Sequence, residues 1–215
     1  MKLPDFPESH HPLVRSLQEY SDPELIHRFQ QHPDEGKYFT ALFCRFGAMS
    51  YSLLRNMARS PLQVDYLFAR VWRNIFYELN HLATETGGPS FSMQAWVLNK
   101  VAACITQDQL PAIETIQYTL TTAPPPLWCY LQNALDQLSP LPRLILVLSQ
   151  TFHWQDHRIM AVLQAEGEEI TPDEIAQHLQ EAYQSLQAAL PEDIQDIYLN
   201  SRPEPDSSSI LLPPF

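Results

Sequence analysis

The chain has 215 residues, with 25 acidic and 13 basic side chains and a formal net charge of −12. Hydrophobic residues make up 45% of it, enough for a packed core, which argues against wholesale disorder. The negative charge argues against a nonspecific nucleic-acid binder, because attraction to phosphate supplies most of that affinity, and the 5 glycines leave little material for phosphate-cradling loops.

Apolar residues recur every three or four positions along most of the first half, which predicts amphipathic α-helices. A short pattern beginning at Leu13 is interrupted by Ser21-Asp22-Pro23-Glu24, which starts a new helix. Ser21 or Asp22 is the predicted N-cap, with Pro23 in the first turn. Further helices are predicted at 38–57, at 62–82 and from about Phe91 to about residue 107.

The stretch 108–126 has no clear helical period. Its part from Ile113 to Leu120 alternates and is rich in β-branched residues, so a strand and a linker with a short helix both remain open, and we favour the linker. Ala123-Pro124-Pro125-Pro126 is predicted to be stiff and extended. We place the boundary between two domains there.

Helical periodicity resumes after the prolines, at 127–138, 140–151, about 154–165 and 172–190. The last of these helices has a defined start. Thr171 is the predicted N-cap, Pro172 occupies the first helical position, and Glu174 completes a capping box.

The predicted organisation has five parts: an N-terminal extension (1–23), a helical domain (24–110), a Pro-rich linker (111–126), a second helical domain (127–199) and a flexible tail (200–215). The tail ends in the apolar run Ile210–Phe215, for which a frayed terminus and a short docking peptide both remain open. Residues 1–110 carry 10 Lys/Arg and 11 Asp/Glu, whereas residues 111–215 carry 3 and 14. This asymmetry suggests that the two halves have different partners.

The cysteines and the N-terminus favour a cytoplasmic protein. Cys44, Cys104 and Cys129 are far apart and form no CxxC pair, so we expect free thiols. The N-terminus lacks the apolar core of a signal peptide, and no run of 18 apolar residues exists. We therefore expect neither a signal peptide nor a membrane span.

No motif of enzyme chemistry stands out. The chain lacks a G-x-S-x-G elbow, a P-loop and a G-x-G-x-x-G turn. His153 and His157 have the i,i+4 spacing of a zinc pair, but a third ligand is not evident, and we interpret them as solvated or capping histidines. The sequence predicts no enzyme activity, no metal, no cofactor and no small-molecule substrate.

The order of the helices carries a family resemblance. The helices at Tyr38–Arg55 and Val64–Phe76 precede Phe91 and Ala95-Trp96, and Leu135-Asp-Gln-Leu-Ser-Pro-Leu-Pro-Arg143 precedes a helix pair. Over about residues 24–190, this order resembles bacterial sigma factors of the extracytoplasmic-function type. The resemblance implies an all-α fold of two small helical domains, a region 2-like bundle and a region 4-like helix-turn-helix, joined by a linker.

The resemblance implies that the second helix of the first domain holds RNA polymerase. The family favours an acidic pair there, followed one turn later by Gln and Glu. This chain has Asp65-Tyr66 and then Ala69-Arg70, so only Asp65 keeps the expected character. The candidate residues for binding polymerase or another partner are Asp65, Tyr66, Phe68, Ala69, Arg70 and Arg73.

The resemblance also implies two sites of DNA contact, and this chain is poor in cations at both. Residues 90–116 contain one basic residue, Lys100. The nucleic-acid candidates are Arg55, Arg59, Trp96 and Lys100. The last helix, which would read the promoter in the major groove, has no Lys or Arg, so we expect it to be repelled by DNA. Its candidate partner face consists of Glu174, Gln177, His178 and Glu181.

Three functions remain open. The first is a sigma-factor-like transcription protein that associates with RNA polymerase or another transcription component through protein contacts, with promoter reading weakened or lost. The second is a sigma fold repurposed as a protein-interaction adaptor or assembly scaffold. The third is a conventional promoter-recognising sigma factor. The first is the leading hypothesis, with a protein partner such as core RNA polymerase, no membrane partner and a cytoplasmic location.

Overall fold

The computed structural model describes residues 4–56, 60–82, 92–107, 112–116, 118–121 and 123–200. All regular elements within these residues are helical, which confirms the predicted all-α class. Three short elements, Pro7–His10, Ile113–Thr115 and Asp196–Asn200, have 3₁₀ or π geometry. The α-helices of the described chain are α1 (Pro12–Arg15), α2 (Asp22–Gln31), α3 (Lys37–Arg55), α4 (Pro61–His81), α5 (Met93–Gln107), α6 (Pro125–Asp136), α7 (Pro140–Gln150), α8 (Asp156–Ala165), α9 (Pro172–Ala189) and α10 (Glu192–Gln195).

Two capping boxes begin helices where the sequence predicts them. The backbone N–H of Ser21 donates to the Glu24 carboxylate at 2.8 Å, and the Ser21 hydroxyl accepts the N–H of Glu24. Thr171 and Glu174 repeat this arrangement at the start of α9. Ser21, one of the two predicted N-caps, is the cap of α2, and the predicted capping box of α9 is confirmed. The prediction of an extended proline stretch is wrong, because α6 begins at Pro125, and proline, which has no N–H to satisfy, fits the first turn of a helix.

The contacts divide the described chain into two units. Unit 1 runs up to Cys129 and also includes a return segment that begins at Pro191, whereas unit 2 runs from Tyr130 to Leu190. The first boundary therefore lies inside α6, beyond the predicted linker. The return segment joins unit 1 and not the predicted second domain, because its Ile194 and Tyr198 are buried there and Asp193 binds the start of α3.

Unit 1 packs α2, α3, α4 and α5 around an aromatic core. The rings of Phe39 and Phe76 meet edge-on at 4.9 Å, as do those of Phe43 and Trp72. Phe29 of α2 lies 5.5 Å from Phe76. Such pairs add about 0.5–1.5 kcal/mol each beyond the burial of their area, so they fix how α3 lies against α4.

The predicted N-terminal extension packs on α3 as part of unit 1. The Phe6 ring lies 5.1 Å from that of Phe43, edge to face. Arg45 of α3 forms an ion pair with Asp22 at 2.6 Å, so one guanidinium ties α3 to the start of α2. The same guanidinium donates to the backbone carbonyl groups of Leu17, Gln18 and Tyr20.

Unit 2 packs α7, α8 and α9 together. Gly167 follows α8 with φ of 92°, a left-handed conformation that favours glycine. The connection from Glu166 to Thr171 has six residues, more than the three or four of a typical helix-turn-helix turn. The core of this unit consists of Ile145, Ile159, Leu163, Ile170 and Ile175.

Candidate functional site

The polymerase-binding candidates lie on α4, and three of them share one face of that helix. Asp65, Ala69 and Arg73 recur every four residues, so they form a single stripe. Tyr51 of α3 donates its hydroxyl to the Asp65 carboxylate at 2.8 Å, and the backbone N–H of Leu120 donates to the same carboxylate. At the other end of the stripe, the Arg73 guanidinium lies 5.7 Å from the centre of the Trp128 ring. The stripe is therefore in contact with other parts of unit 1.

Burial dominates the electrostatics of Asp65. It raises the pKa of this carboxyl above its ordinary value, and the hydrogen bonds from Tyr51 and Leu120 offset part of that rise because they favour the charged form. Burial and the neighbouring carboxylate also raise the pKa of the Tyr51 hydroxyl. Asp65 is thus a half-buried acceptor with two internal donors.

The segment after α5 covers this stripe. The Tyr118 hydroxyl donates to the carbonyl oxygen of Ala123 at 2.6 Å, and the Tyr118 ring lies 5.4 Å from that of Trp128. Tyr118, Leu120, Ala123 and Trp128 are all buried. We call the described residues 118–121 and 123–128 the strap, because they lie along α4 from Asp65 to Arg73.

The other α4 candidates divide into core and surface. Phe68 and Ala69 are fully buried in unit 1, so they contact its core and a partner cannot reach them in this conformation. Tyr66 and Arg70 are half-buried, with the Arg70 guanidinium 5.6 Å from the Tyr66 ring centre. Tyr66 and Arg70 therefore stay partly accessible, as do the half-buried Asp65 and Arg73.

The structure brings two of the nucleic-acid candidates together. The Lys100 ammonium lies 5.3 Å from the Trp96 ring centre and forms an ion pair with Glu78 of α4. A phosphate would have to compete with that carboxylate for the lysine. Arg55 lies at the end of α3, where its charge offsets part of the rise in the pKa of the Tyr51 hydroxyl that burial causes. Arg59 lies outside the described residues.

Three of the four candidates on α9 are joined through Glu181, and the fourth, Glu174, bonds the N-cap Thr171. Gln177 donates its amide to Glu181 at 2.8 Å, and His178 Nδ1 lies 3.2 Å from the same carboxylate. The Glu174 carboxylate accepts the backbone N–H and the hydroxyl of Thr171, which together lower the pKa of Glu174. The side chains that could hydrogen-bond a base edge thus already have protein partners.

The charge around α9 is strongly negative. Residues 130–190 contain eight acidic side chains and two arginines. Arg143 forms an ion pair with Asp136 at 2.7 Å, and the Arg158 guanidinium lies 4.0 Å from the Trp154 ring centre. Both cations of this stretch are therefore engaged within the unit.

Sequence reasoning missed an exposed aromatic turn between α7 and α8. Phe152 is 56% exposed, and its ring lies 6.1 Å from that of the half-buried Trp154. His153 between them has φ of 52°, which costs energy for a non-glycine residue. Helical periodicity carries no signal for such a turn, because the residues between two helices follow no repeat.

The same turn holds His153, the histidine that has i,i+4 spacing to His157 in sequence, outside α8. α8 begins at Asp156, so the two imidazoles are not one turn apart on a helix. Among the residues that the structure describes, no three His, Cys, Asp or Glu side chains are grouped to hold a metal ion.

No helix of the described part of the chain has both the length and the hydropathy to span a membrane. Comparison of the chain with protein-family models, curated proteins and solved structures finds no match.

Proposed function

We propose that this chain is a sigma-factor-like transcription protein that associates with RNA polymerase or another transcription component through protein contacts, with promoter reading weakened or lost. The order of α2–α5 in unit 1 and α7–α9 in unit 2 agrees with the order of helices on which the resemblance rests. The free thiols of Cys44, Cys104 and Cys129 support a cytoplasmic location.

The charge of α9 is the observation that supports the loss of promoter reading. Under the resemblance, α9 corresponds to the promoter-reading helix; it has no Lys or Arg, while Asp173, Glu174 and Glu181 lie along it. An acidic group near a backbone phosphate costs about 1 kcal/mol even in water. Binding in the major groove instead needs several cations on phosphates to hold the helix in place. The negative surface of α9 suits a protein partner better than DNA.

Two measurements test the proposal. The purified protein is mixed with bacterial core RNA polymerase at low salt and analysed by gel filtration, and we expect the two to co-elute. A labelled promoter duplex is then added to the protein with and without the core enzyme, and we expect no duplex opening that depends on this protein. Absence of co-elution at low salt contradicts polymerase association. Protein-dependent opening of the duplex contradicts the loss of promoter reading and favours a conventional sigma factor.

The exposed aromatic turn favours a second candidate function, a protein-interaction adaptor or assembly scaffold. Large exposed aromatic side chains are common anchors of protein interfaces, and Phe152 is the most exposed large apolar residue of the described chain. We expect Phe152→Ser to abolish capture of the adaptor's partner from a host lysate, and Leu53→Ser, which alters an exposed residue of unit 1, to preserve it. Equal capture by both variants contradicts this use of the turn.

A further inference from the structure

We propose that the strap is an autoinhibitory element that occupies the α4 face intended for the protein partner, so that binding there requires the strap to open. This inference rests on the proposed function, which places the partner on α4. The strap belongs to unit 1, as does α4, and every contact used below lies within that unit.

The first contact lies at Asp65, the candidate that keeps the character expected for polymerase binding. Its carboxylate accepts the Leu120 N–H from the strap and the Tyr51 hydroxyl from α3. Two of the acceptor positions of this half-buried carboxylate are thus taken by internal donors, one of them from the strap. A partner that takes the place of the strap on this face breaks the bond from the Leu120 N–H and has to offer a donor in its place.

The second contact lies two helical turns further along, at Arg73. The Arg73 guanidinium lies 5.7 Å from the centre of the Trp128 ring, and Trp128 is buried. Ala69 lies between Asp65 and Arg73 on the same stripe and is fully buried. Asp65 and Arg73 are about 12 Å apart along a helix that rises about 1.5 Å per residue. The strap thus covers the length of a short peptide-binding face.

The third set of contacts holds the strap together independently of α4. Tyr118 donates its hydroxyl to the Ala123 carbonyl, five residues later, and its ring packs on Trp128. These contacts link the two ends of the strap to each other. They hold the strap in the conformation that fits α4, and opening the strap breaks them.

The closed strap lowers the apparent affinity of a partner in a predictable way. If the partner binds only the open form, the apparent dissociation constant equals the intrinsic one divided by the open fraction. Consider a variant that destabilises the closed strap and leaves α4 unchanged. If the open fraction rises fivefold, the apparent dissociation constant of the partner falls about fivefold. A strap that is merely structural gives the opposite result, because its variant can only loosen the fold.

Tyr118→Phe is the variant that separates these outcomes. It removes the hydroxyl donated to Ala123 and keeps the ring, and it leaves the side chains of α4 unchanged. Loss of one such hydrogen bond changes an equilibrium about fivefold, so we expect bacterial core RNA polymerase to bind the variant about fivefold more tightly. Tyr183→Phe, at a half-buried tyrosine of unit 2, is the matched control and should bind as the wild type does. Unchanged or weaker binding by Tyr118→Phe overturns the inhibitory role.

A second measurement needs no partner and separates failure of the strap from failure of the proposed function. Native-state hydrogen exchange is followed in the full chain at low urea concentrations for the amides of Leu120 and of Ile75, a fully buried residue of α4. An opening strap exposes Leu120 through a local event, so its exchange should be faster and almost independent of urea, while Ile75 follows global unfolding. Equal urea dependence at both amides overturns the proposal, whether or not polymerase binds. A further outcome is that the strap opens locally in a protein that does not co-elute with polymerase. That result supports the opening of the strap and rejects polymerase as the partner.

Discussion

The backbone N–H of Lys37 donates to the carboxylate of Asp193 at 2.8 Å, across 156 positions of the chain. The N–H of Gly36 donates to the other oxygen of the same carboxylate at 3.0 Å. α3 begins after Gly36, which has no side chain with which to cap the helix. The return segment therefore supplies the N-terminal cap of α3. The chain leaves unit 1 at Cys129 and returns to it at Pro191, where this segment begins.

Asp193→Ala should destabilise unit 1. The substitution leaves two N–H groups at the start of α3 without their acceptor, and loss of an N-terminal cap costs about 0.5–2 kcal/mol of the free energy of unfolding. Urea unfolding measures the change. Asp196→Ala is the control, because this exposed carboxylate pairs with His11 at 3.6 Å and such pairs contribute about 0–1 kcal/mol. An equal loss in both variants would mean that charge, and not capping, is responsible.

Ser50→Ala should cost more than Ser52→Ala, although both serines lie on α3. Each hydroxyl donates to the carbonyl four residues before it, but Ser50 also accepts the buried indole N–H of Trp72 at 3.1 Å. Removing that acceptor leaves a buried donor unsatisfied, at a cost of about 1–3 kcal/mol. Ser52 lies on the outside of the helix, so its loss should stay within about 0.5 kcal/mol. Thermal or urea unfolding of the two variants provides the comparison, which fails if Ser52→Ala is the less stable one.

The stability of unit 1 should depend on the ionisation of Asp65. Its pKa in the folded chain is raised above the ordinary value of 3.8, so the folded state holds the proton more tightly than the unfolded state does. The resulting stabilisation is fully present below that ordinary value and is lost as the pH rises through the raised pKa. Asp65→Asn cannot titrate, so its free energy of unfolding relative to wild type should increase as the pH rises above about 4. Urea unfolding of both proteins between pH 3 and 8 measures the difference in free energy of unfolding. A difference that stays constant or falls as the pH rises would contradict the role of burial.

The capping box of α9 should give the opposite pH dependence. Hydrogen bonds from Thr171 lower the pKa of Glu174 below its ordinary value of 4.5, so their contribution is present above that value and is lost as the pH falls through the lowered pKa. Thr171→Ala should destabilise α9 by about 1 kcal/mol at pH 7. Hydrogen exchange of the amides in the first turns of α9, at pH 7 and at acid pH, measures both effects. The difference between the variant and the wild type should narrow at acid pH, where the Thr171 hydroxyl no longer donates to a carboxylate, and a difference that stays constant would show that this hydroxyl and the Glu174 carboxylate are not coupled.

The aromatic turn should tolerate change at one ring and not at the other. Phe152→Ser replaces an exposed side chain and should alter the free energy of unfolding by no more than about 0.5 kcal/mol. Trp154→Ala removes a ring that packs against the core of unit 2 and holds the Arg158 guanidinium, so it should cost several times as much. Trp fluorescence is affected by the second change, so circular dichroism is the suitable probe of unfolding. Similar stability of the two variants would contradict the packing of Trp154.

The sequence by itself determined the features that depend on residues within about four positions of one another. It identified the helical class, the start of α2 at Ser21 or Asp22, the capping box of Thr171 with Glu174, and the absence of cations from α9. Such features are local, because a helix brings together only residues three or four apart. The same rule explains the error at Pro125, since a proline in a first helical turn and one in an extended stretch look alike in sequence.

The tertiary structure decided which of these surfaces are open. Asp65 has the residue type expected for a partner site, but the Leu120 N–H that occupies it comes from a segment 55 positions away, beyond α5. The Asp193 cap comes from still further along the chain. Contacts at such separations depend on how whole helices pack, and packing is set by the volume and shape of a shared core that no local pattern records.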